Sequence, residues 1–218
     1  MVLLLFGPPG SGKGTQAARI TRALGIPAIS TGNMLRAEID ADTSLGREAA
    51  AILTRGGLVE DSLVNEMLAA RLLHDDCRDG FLLDGYPRTL SQARHLDRIL
   101  CDLGFGQPLV IHLEVPFHVL VKRLSARRQC QDCCRVYNGG LRCEDCDGIL
   151  VQRIDDREDV IRERLRTYQV QTESVVDFYL YGNYHIVNAD RPPDDVYRDV
   201  EGLLEPVMVR AARNSNAA

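Results

Sequence analysis

The 218-residue sequence has no apolar run long enough to span a membrane, and no basic segment precedes its N-terminal apolar residues. It also lacks the excess of positive charge that is typical of general nucleic-acid-binding surfaces, because its formal net charge is −5. No long apolar surface stripe is evident. We therefore expect a cytoplasmic monomer that binds neither a membrane nor a nucleic acid.

The sequence also lacks several common patterns of side-chain catalysis. Its five histidines show no metal-ligand spacing, and no serine or cysteine lies in a recognisable nucleophile elbow. Internal repeats are absent as well. The length, 45% apolar content and 26% charged content are typical of one soluble α/β core with small insertions.

What the sequence does contain is a glycine-rich segment, GPPGSGKGT, at residues 7–15. An apolar run at residues 2–6 precedes it and predicts a buried strand. An amphipathic stretch at residues 16–24 follows it and predicts a helix. A strand, a glycine-rich turn and a helix in this order favour a phosphate-binding loop over an ordinary tight turn.

Individual residues of the segment fit that interpretation. Gly7, Gly12 and Lys13 meet the spacing Gly-x4-Gly-Lys, whereas Gly14 stands where the general motif has Ser or Thr, and the hydroxyl of Thr15 follows one place later. Glycines allow backbone N–H groups to point at an anion, and the new helix adds the positive end of its dipole. Lys13 adds a mobile full charge.

Five apolar, β-rich runs are separated by helical patterns along the chain. They lie at residues 2–6, 27–29, 81–84, 109–115 and 184–188. This alternation predicts a parallel five-stranded sheet with helices on both faces. In such sheets ligands bind beyond the carboxyl ends of the strands, where the glycine-rich segment would lie.

Two segments interrupt this core. Residues 30–59 hold more helix than one crossover needs, and residues 127–154 hold most of the cysteines. The predicted core therefore consists of residues 1–29, 60–126 and 155–218. We expect the last six residues, 213–218, to form a frayed tail after a helix that ends near Val209.

Polar residues at the starts of helical patterns predict caps. Thr43 precedes one such pattern, Asp61 precedes a second, and a third begins at Thr89 or Ser91. Asp155 and Asp156 precede a long helical pattern and are candidates to cap it, with a role at the hinge of the insertion as a compatible alternative.

Two motifs place polar side chains after predicted strands. Thr31 and Arg36 offer a hydroxyl and a guanidinium suited to a second phosphate, with a helix cap and a solvated arginine as the alternative. Asp84 ends a buried strand where it would hold the water shell of a magnesium ion. Gly85 permits close approach of a ligand, and Arg88 follows in the same turn.

Four arginines form a further candidate set: Arg123, Arg127, Arg153 and Arg164. Arg127 and Arg153 flank the cysteine-rich insertion at its two ends. Guanidinium groups bind phosphate through paired N–H donors and spread their charge over a plane. This position and chemistry predict contacts with migrating phosphoryl oxygens.

The insertion contains the pairs Cys130-x2-Cys133 and Cys143-x2-Cys146. In a reducing compartment such clustering favours a metal site over disulfides. Four thiolates from two turns suit a tetrahedral structural Zn²⁺ site, with iron as the alternative metal. The adjacent Cys134 is expected to be a spectator, with a competing ligand on oxidation as the alternative.

Together these segments resemble the adenylate kinase family. The resemblance is carried by GPPGSGKGT (7–15), STGNMLR (30–36), FLLDGYPR (81–88), the pair at 127–128, RIDD (153–156) and Arg164. The cysteine-rich insertion resembles the zinc-bearing lid of the long bacterial form. The resemblance implies a P-loop nucleoside monophosphate kinase fold, with residues 30–59 as the nucleoside-monophosphate-binding module and 127–154 as the lid.

The resemblance also implies a reaction, MgATP + AMP ⇌ 2 ADP, and a role for each matching residue. ATP would be bound by Gly10, Ser11, Gly12, Lys13, Gly14, Thr15, Arg123, Arg127, Tyr137 and Arg191. AMP would be bound by Thr31, Arg36, Gly57, Leu58, Val59, Gly85, Arg88, Gln92, Arg153 and Arg164. The catalytic residues would be Lys13, Asp84, Arg88, Arg127, Arg153 and Arg164.

Two alternatives stay open from sequence. One is a kinase for another nucleoside monophosphate, such as UMP or CMP, although Thr31 and Gln92 favour adenine. The other is a P-loop protein whose zinc knuckles bind nucleic acid. The acidic net charge and the absence of an aromatic and basic stripe weigh against the second alternative.

Overall fold

The computed structural model describes the backbone of residues 1–215 and the side chains of residues 1–206 except that of Glu173. The helix predicted to end near Val209 continues to Ser215, so the first part of the predicted tail is helical. The end of that tail, residues 216–218, lies outside the described residues. Within residues 1–215 no helix is both long enough and apolar enough to cross a membrane.

The described chain alternates strands and helices. In chain order these are β1 (Val2–Phe6), α1 (Lys13–Leu24), β2 (Ala28–Ser30), α2 (Thr31–Asp40), α3 (Ser44–Leu53), α4 (Asp61–Leu72), β3 (Phe81–Asp84), α5 (Leu90–Asp102), β4 (Leu109–Glu114), α6 (Phe117–Ala126), β5 (Arg127–Cys130), β6 (Val136–Asn138), β7 (Leu150–Val151), α7 (Glu158–Tyr179), β8 (Asn183–Asn188) and α8 (Pro193–Ser215).

Five strands form one parallel sheet in the order β2-β3-β1-β4-β8. The predicted parallel sheet is therefore confirmed, and its strand bounds agree with the sequence prediction to within one residue. The central strand β1 is fully buried. Its Leu5 lies opposite Asp84 on one side and Ile111 on the other. The loop at residues 7–12 therefore starts from the middle of the sheet's carboxyl edge.

Helices cover both faces of the sheet. On one face Val2, Leu4 and Phe6 pack against buried residues of α4, α5 and α7. On the other face Leu3 and Leu5 pack against α1 and α8. Continuous apolar sequence in β1 follows from this burial on two sides, because a strand covered on both faces has no polar alternation.

The first insertion is a pair of helices, α2 and α3. The Ser30 hydroxyl accepts a hydrogen bond from the Asn33 backbone N–H at 3.4 Å, and that of Thr43 accepts one from Gly46 at 2.9 Å. Gly46 also permits close packing of the two helices, because a Cβ there would lie 2.0 Å from the carbonyl oxygen of Glu38. The predicted cap at Thr43 is confirmed.

The second insertion is a three-stranded antiparallel sheet in the order β6-β5-β7. Its small core consists of Cys130, Cys143 and Leu150, with Tyr137 packed against them. So few apolar residues supply little stabilisation, and a segment of this size typically depends on a metal or disulfides.

Two predicted helix caps are wrong, whereas Thr89 caps α5 as expected. Asp61 is the first residue of α4 rather than its cap, and its carboxylate instead accepts hydrogen bonds from Thr89 and Gln92. Asp155 and Asp156 lie in a short 3₁₀ helix before Arg157, and no side chain caps α7. Both carboxylates bind arginines, which satisfy a buried charge better than a helix end does.

Candidate active site

A cavity of about 1010 Å³ lies at the carboxyl edge of the sheet. The loop at residues 7–12, both insertions and α7 contribute to its walls. This position agrees with the general rule for parallel α/β sheets. All of the residues predicted to bind ATP or AMP, and all of the predicted catalytic residues, line this cavity.

The glycine-rich loop requires glycine at specific points. Gly7 has φ 139°, and a Cβ there would lie 2.7 Å from the carbonyl oxygen of Leu113. Gly10 has φ 85°, and its Cβ would lie 2.9 Å from Leu124. Gly12 precedes α1 in the left-handed conformation and no side chain caps that helix, so the helix N-terminus opens toward the cavity.

Lys13 folds back on this loop. Its Nζ donates hydrogen bonds to the carbonyl oxygens of Gly7 at 2.7 Å and Pro8 at 3.0 Å. Burial lowers the pKa of Lys13 to about 8; Asp84 opposes that change, and the positive charges of nearby arginines add to it. A buried lysine whose positive charge is only weakly balanced by nearby negative charge is well suited to bind an anion.

Several buried polar atoms at the cavity have no hydrogen-bond partner among the described residues. They are Ser11 Oγ, Gln16 Oε1 and Arg36 Nε. Buried polar groups are nearly always satisfied in folded proteins, so unsatisfied groups that line one cavity indicate a place for a polar ligand.

Opposite the loop, the Gly85 carbonyl joins two predicted AMP-binding residues. It accepts hydrogen bonds from the Thr31 hydroxyl at 3.0 Å and from Arg88 Nε at 2.7 Å. Gly85 has φ 80°, and a Cβ there would lie 2.9 Å from Arg88 Nη2. Glycine is thus needed both for the backbone conformation and for the approach of Arg88.

Gln92 is held from two sides. Its Oε1 accepts a hydrogen bond from the Arg88 backbone N–H at 2.8 Å, and its Nε2 donates to Asp61 at 2.7 Å. Asp61 therefore positions a predicted AMP-binding residue. Sequence reasoning missed this role, because the contact joins α4 to α5 across 31 residues and leaves no local pattern.

Arg36 has a neutral partner. Its Nη2 donates to Asn33 Oδ1 at 2.5 Å, and no carboxylate within the described chain forms an ion pair with it. Burial, followed by the charge of Arg153, lowers the pKa of Arg36 to about 9, which leaves the group charged at neutral pH. Arg36 thus brings a positive charge to the cavity that no carboxylate of the described chain binds directly.

Three predicted arginines, Arg127, Arg153 and Arg164, are held by two carboxylates. Arg127 donates to both oxygens of Asp156, and Arg164 donates to the same carboxylate at 2.8 Å. Arg153 binds Asp155 through two hydrogen bonds of 3.1 Å. The two ends of the second insertion and α7 are thereby joined in one network.

Asp155 stays ionised within this network. Burial alone would raise the pKa of Asp155, but the combined charges of Arg164, Arg153 and Arg36 outweigh burial and hold the pKa well below its usual range. Burial likewise lowers the pKa of Arg164 to about 10, against the attraction of Asp155. Asp155 and Arg164 are therefore both charged at neutral pH.

Three further predicted residues lie at the rim. Arg123 donates to the Ala189 carbonyl at 3.0 Å, and Arg191 forms an ion pair with Asp199. Tyr137, on β6, lines the cavity while its hydroxyl donates to Asp145. Their positions are compatible with contacts to a base or ribose.

The four predicted metal ligands converge outside this cleft, apart from Cys133, which also lines it. The sulfur atoms of Cys130, Cys133, Cys143 and Cys146 all lie within 4.8 Å of one another. Two pairs of sulfurs are 3.5 Å apart. Tetrahedral zinc with Zn–S bonds near 2.3 Å requires about 3.8 Å between sulfurs, so the donor set fits a closed four-thiolate site.

The two cysteine turns have the same backbone geometry. In each turn the first cysteine donates its N–H to the carbonyl five residues later and accepts from the N–H four residues later. That fourth residue is Cys134 in one turn and Asp147 in the other, each at φ 59°. Cys134 is exposed and is not one of the four cysteines whose sulfurs converge.

Comparison with known proteins agrees with this geometry. The family model described as adenylate kinase matches residues 5–183. An adenylate kinase from Thermodesulfovibrio yellowstonii is 43% identical over 213 residues, which cover 94% of this chain and 99% of the relative. One from Archaeoglobus fulgidus is 41% identical over 215 residues, covering 95% and 99%. One from Listeria monocytogenes serotype 4a is 43% identical over 212 residues, covering 94% and 99%. The chain therefore belongs to the adenylate kinase family of nucleoside monophosphate kinases.

Proposed function

We propose that the protein catalyses the reversible, magnesium-dependent transfer of a phosphoryl group from ATP to AMP, giving two ADP. The observation that carries this proposal is a set of cleft cations without carboxylate partners. Lys13, Arg36 and Arg88 form no ion pair with any acidic side chain in the described part of the chain. They line both sides of one cavity, so an anion bound on each side would balance their charges.

The donor nucleotide occupies the glycine-rich loop. Backbone N–H groups from Gly10 to Thr15 and the N-terminus of α1 surround its phosphates. Lys13 exchanges its two bonds to loop carbonyls for bonds to phosphate oxygens. Arg123, Tyr137 and Arg191 lie along the adenosine of this nucleotide.

The acceptor nucleotide occupies the opposite side. Arg36 and Arg88 bind its phosphate, while Thr31, Gly85 and Gln92 lie along the nucleoside. The backbone of residues 57–59, at the end of the first insertion, borders its base. The Asp61 carboxylate fixes Gln92, and Gln92 fixes the backbone of Arg88.

Transfer takes place between these two phosphates. Phosphoryl transfer depends mainly on in-line positioning and on neutralising charge on the moving group. Arg88, Arg127, Arg153 and Arg164 supply that charge, and residues 127–154, acting as a lid, exclude water from the site. Mg²⁺, when bound with ATP, neutralises charge on the β- and γ-phosphates. Asp84, at the tip of β3, orients the water molecules of that ion.

The four cysteines bind a structural Zn²⁺. All four coordination positions come from protein, which leaves no open site for catalysis. Zinc stabilises a lid whose own core is small. Thiolate ligands require reduced cysteines, which agrees with a protein that acts in the cytoplasm, and we expect it to act as a monomer.

One experiment tests the reaction itself. Purified protein is mixed with MgATP and AMP, and nucleotides are quantified by chromatography. Loss of one ATP and one AMP with formation of two ADP supports the proposal, as does the reverse reaction from ADP alone. Formation of ADP without AMP consumption would identify an ATPase and overturn it.

A further inference from the structure

Gln16 is a buried polar residue in the first turn of α1, and it has no role in the nucleotide sites described above. The residue is 2% exposed and lines the cavity. Its Nε2 donates to the carbonyl oxygen of Pro193 at 3.0 Å, which ties α1 to the start of α8 across 177 residues. Its Oε1 has no hydrogen-bond partner among the described residues. One end of the carboxamide is therefore held, and the other end can accept a hydrogen bond.

The orientation of this carboxamide follows from its held end. A backbone carbonyl oxygen can only accept a hydrogen bond, so the amino end of Gln16 faces Pro193. The oxygen end therefore faces away from that carbonyl. An unpaired acceptor is more costly in a buried position than in water, so it favours a ligand that brings a hydrogen-bond donor.

The backbone fixes the position of Gln16 relative to the phosphate-binding groups. Its N–H donates to the Gly12 carbonyl at 3.1 Å, and this bond closes the first turn of α1. The N–H groups of residues 13–15 come before this bond and have no partner within the helix. Gln16 is therefore the first residue beyond those that the donor phosphates occupy.

The surroundings of Gln16 suit a flat base. The same cavity is lined by Ala189, which follows β8, and by Pro193 and Val196 of α8. The guanidinium of Arg123 donates to the Ala189 carbonyl at 3.0 Å, and guanidinium planes stack on aromatic rings. Apolar surface beside a guanidinium favours a base over a ribose or a phosphate at this end of the cavity.

The purine bases differ in the group that they carry at position 6. Adenine has an amino group there, which is its only hydrogen-bond donor in a nucleotide, whereas guanine and hypoxanthine have an oxygen acceptor. We propose that Gln16 Oε1 accepts a hydrogen bond from the 6-amino group of the donor nucleotide, so that Gln16 makes the donor site prefer adenine. This role rests on the proposed function, because it requires a nucleoside triphosphate in the glycine-rich loop.

Calorimetric binding of magnesium complexes of β,γ-imido triphosphates tests this role in the wild-type protein. The adenosine compound should bind about threefold to tenfold more tightly than the purine riboside compound, which lacks the amino group. The inosine compound should bind no more tightly than the purine riboside compound, because its 6-oxygen would face Oε1. Equal affinity for the adenosine and purine riboside compounds would overturn the role of Gln16, and this comparison needs no variant.

The variant Gln16→Met keeps a side chain of similar length and removes the acceptor oxygen. It also loses the bond to Pro193, but that loss acts on the adenosine and purine riboside compounds alike. The ratio of their two Kd values therefore reports on the oxygen, and we expect this ratio to fall to about 1. A residue that only held α1 against α8 would leave the ratio at its wild-type value, and that result would overturn the proposal.

Arg19→Ala is the matched control. Arg19 also lies on α1, and it donates to the same Pro193 carbonyl at 3.3 Å and binds Asp194. Its removal weakens the same link between α1 and α8 but keeps the Gln16 oxygen, so the ratio of Kd values should stay at its wild-type value. An equal loss of base preference in Arg19→Ala and Gln16→Met would overturn the inference.

The binding experiment also separates this role from the proposed reaction. Analogue binding needs no turnover, so a wild-type protein that prefers the adenosine compound but does not consume AMP would refute the proposed reaction alone. A protein that converts ATP and AMP to ADP but binds the adenosine and purine riboside compounds equally would refute the role of Gln16 alone.

Discussion

Arg127 donates two hydrogen bonds to the carboxylate of Asp156, from Nε at 2.6 Å and from Nη2 at 2.5 Å, and the Asp156 side chain is fully buried. Arg127 is the first residue of the second insertion, residues 127–154, and Asp156 follows its last residue by two positions. One ion pair therefore joins the two ends of this insertion. Arg164 binds the same carboxylate from α7, so the ends of the insertion are fixed to α7 beside the cavity.

The substitution Asp156→Asn tests how much these ion pairs stabilise the fold. The substitution keeps the shape but leaves two arginines with a weaker partner. Breaking a buried pair in this way typically costs about 3–5 kcal/mol, so we expect the free energy of unfolding to fall by roughly that amount in urea denaturation. Asp75→Asn is the control, because its pair with Arg78 is exposed and should contribute less than about 1 kcal/mol. Equal effects of the two substitutions would contradict the assignment.

Arg88→Ala separates catalysis from stability. Arg88 has no carboxylate partner among the described residues, so its removal leaves no buried anion unpaired. We expect kcat to fall by a factor of roughly 10³ or more, as for other arginines that stabilise a transferring phosphoryl group, with little change in melting temperature. Arg94→Ala, at an exposed position on α5, is the control. Near-normal turnover in Arg88→Ala would remove Arg88 from the mechanism.

Arg164→Ala should differ from Arg88→Ala in a second measurement. Arg164 is bound to both Asp155 and Asp156, so its loss leaves two buried carboxylates with fewer partners. We therefore expect both kcat and the melting temperature to fall. A variant that lost kcat alone would show that these ion pairs contribute little to folding.

The pKa of Lys13 predicts a pH dependence of ATP binding. In the free protein this pKa is lowered to about 8, chiefly by burial, so the lysine is partly deprotonated at pH 8. Bound phosphate stabilises the charged form and raises the pKa again, so binding takes up protons and weakens as pH rises through 8. Calorimetry at pH 8 in two buffers should detect uptake of about half a proton per site. A binding enthalpy independent of buffer would contradict this prediction.

The lowered pKa of Lys13 affects the free energy of unfolding in the opposite direction from ATP affinity. The unfolded chain keeps Lys13 protonated up to its ordinary pKa near 10.5, so it binds more protons than the folded state above pH 8. The Lys13 contribution to the free energy of unfolding therefore increases with pH in this window, while ATP affinity falls. Urea denaturation at pH 7 and pH 9 without nucleotide measures the change in the free energy of unfolding.

Metal removal should act on stability more than on chemistry. We expect about one Zn²⁺ per chain by elemental analysis and a lower melting temperature after chelation, because the lid core is small. Cys133→Ser should lower the metal content, whereas Cys134→Ser should not, although the two residues are adjacent. Chelation without a change in melting temperature would argue against a structural zinc.

The local features of the active site could be predicted from sequence to a large extent. The loop at residues 7–15 and the turn at residues 84–88 are continuous in the chain, so their chemistry is visible in the order of residues. The four cysteines could also be predicted, since two short spacings define two turns.

Long-range partners could not be predicted in the same way. The local pattern at Asp61 predicts a helix cap, but its carboxylate binds Gln92. Asp155 and Asp156 likewise bind arginines rather than the start of α7. A carboxylate near a helix start has the same local pattern in either case. Only the folded positions of distant arginines decide where its charge is best satisfied.

The partners of His112 likewise could not be predicted from the local sequence. Its place in an apolar, alternating strand indicates a core residue, and its side chain does face the packed helix α7. The hydroxyls of Tyr168 and Tyr184 come from positions more than fifty residues along the chain. Nothing in the local sequence indicates that both ring nitrogens would find partners.

The central claim is the identity of the two substrates, and a panel of acceptor nucleotides tests it most directly. Metal-analysed protein is assayed with MgATP and with AMP, CMP, UMP or GMP in turn, and kcat/KM is compared. We expect AMP to exceed each of the others by at least about tenfold, equivalent to about 1.4 kcal/mol of transition-state binding. Equal or higher kcat/KM for another monophosphate, or no AMP-dependent formation of ADP, would contradict the account.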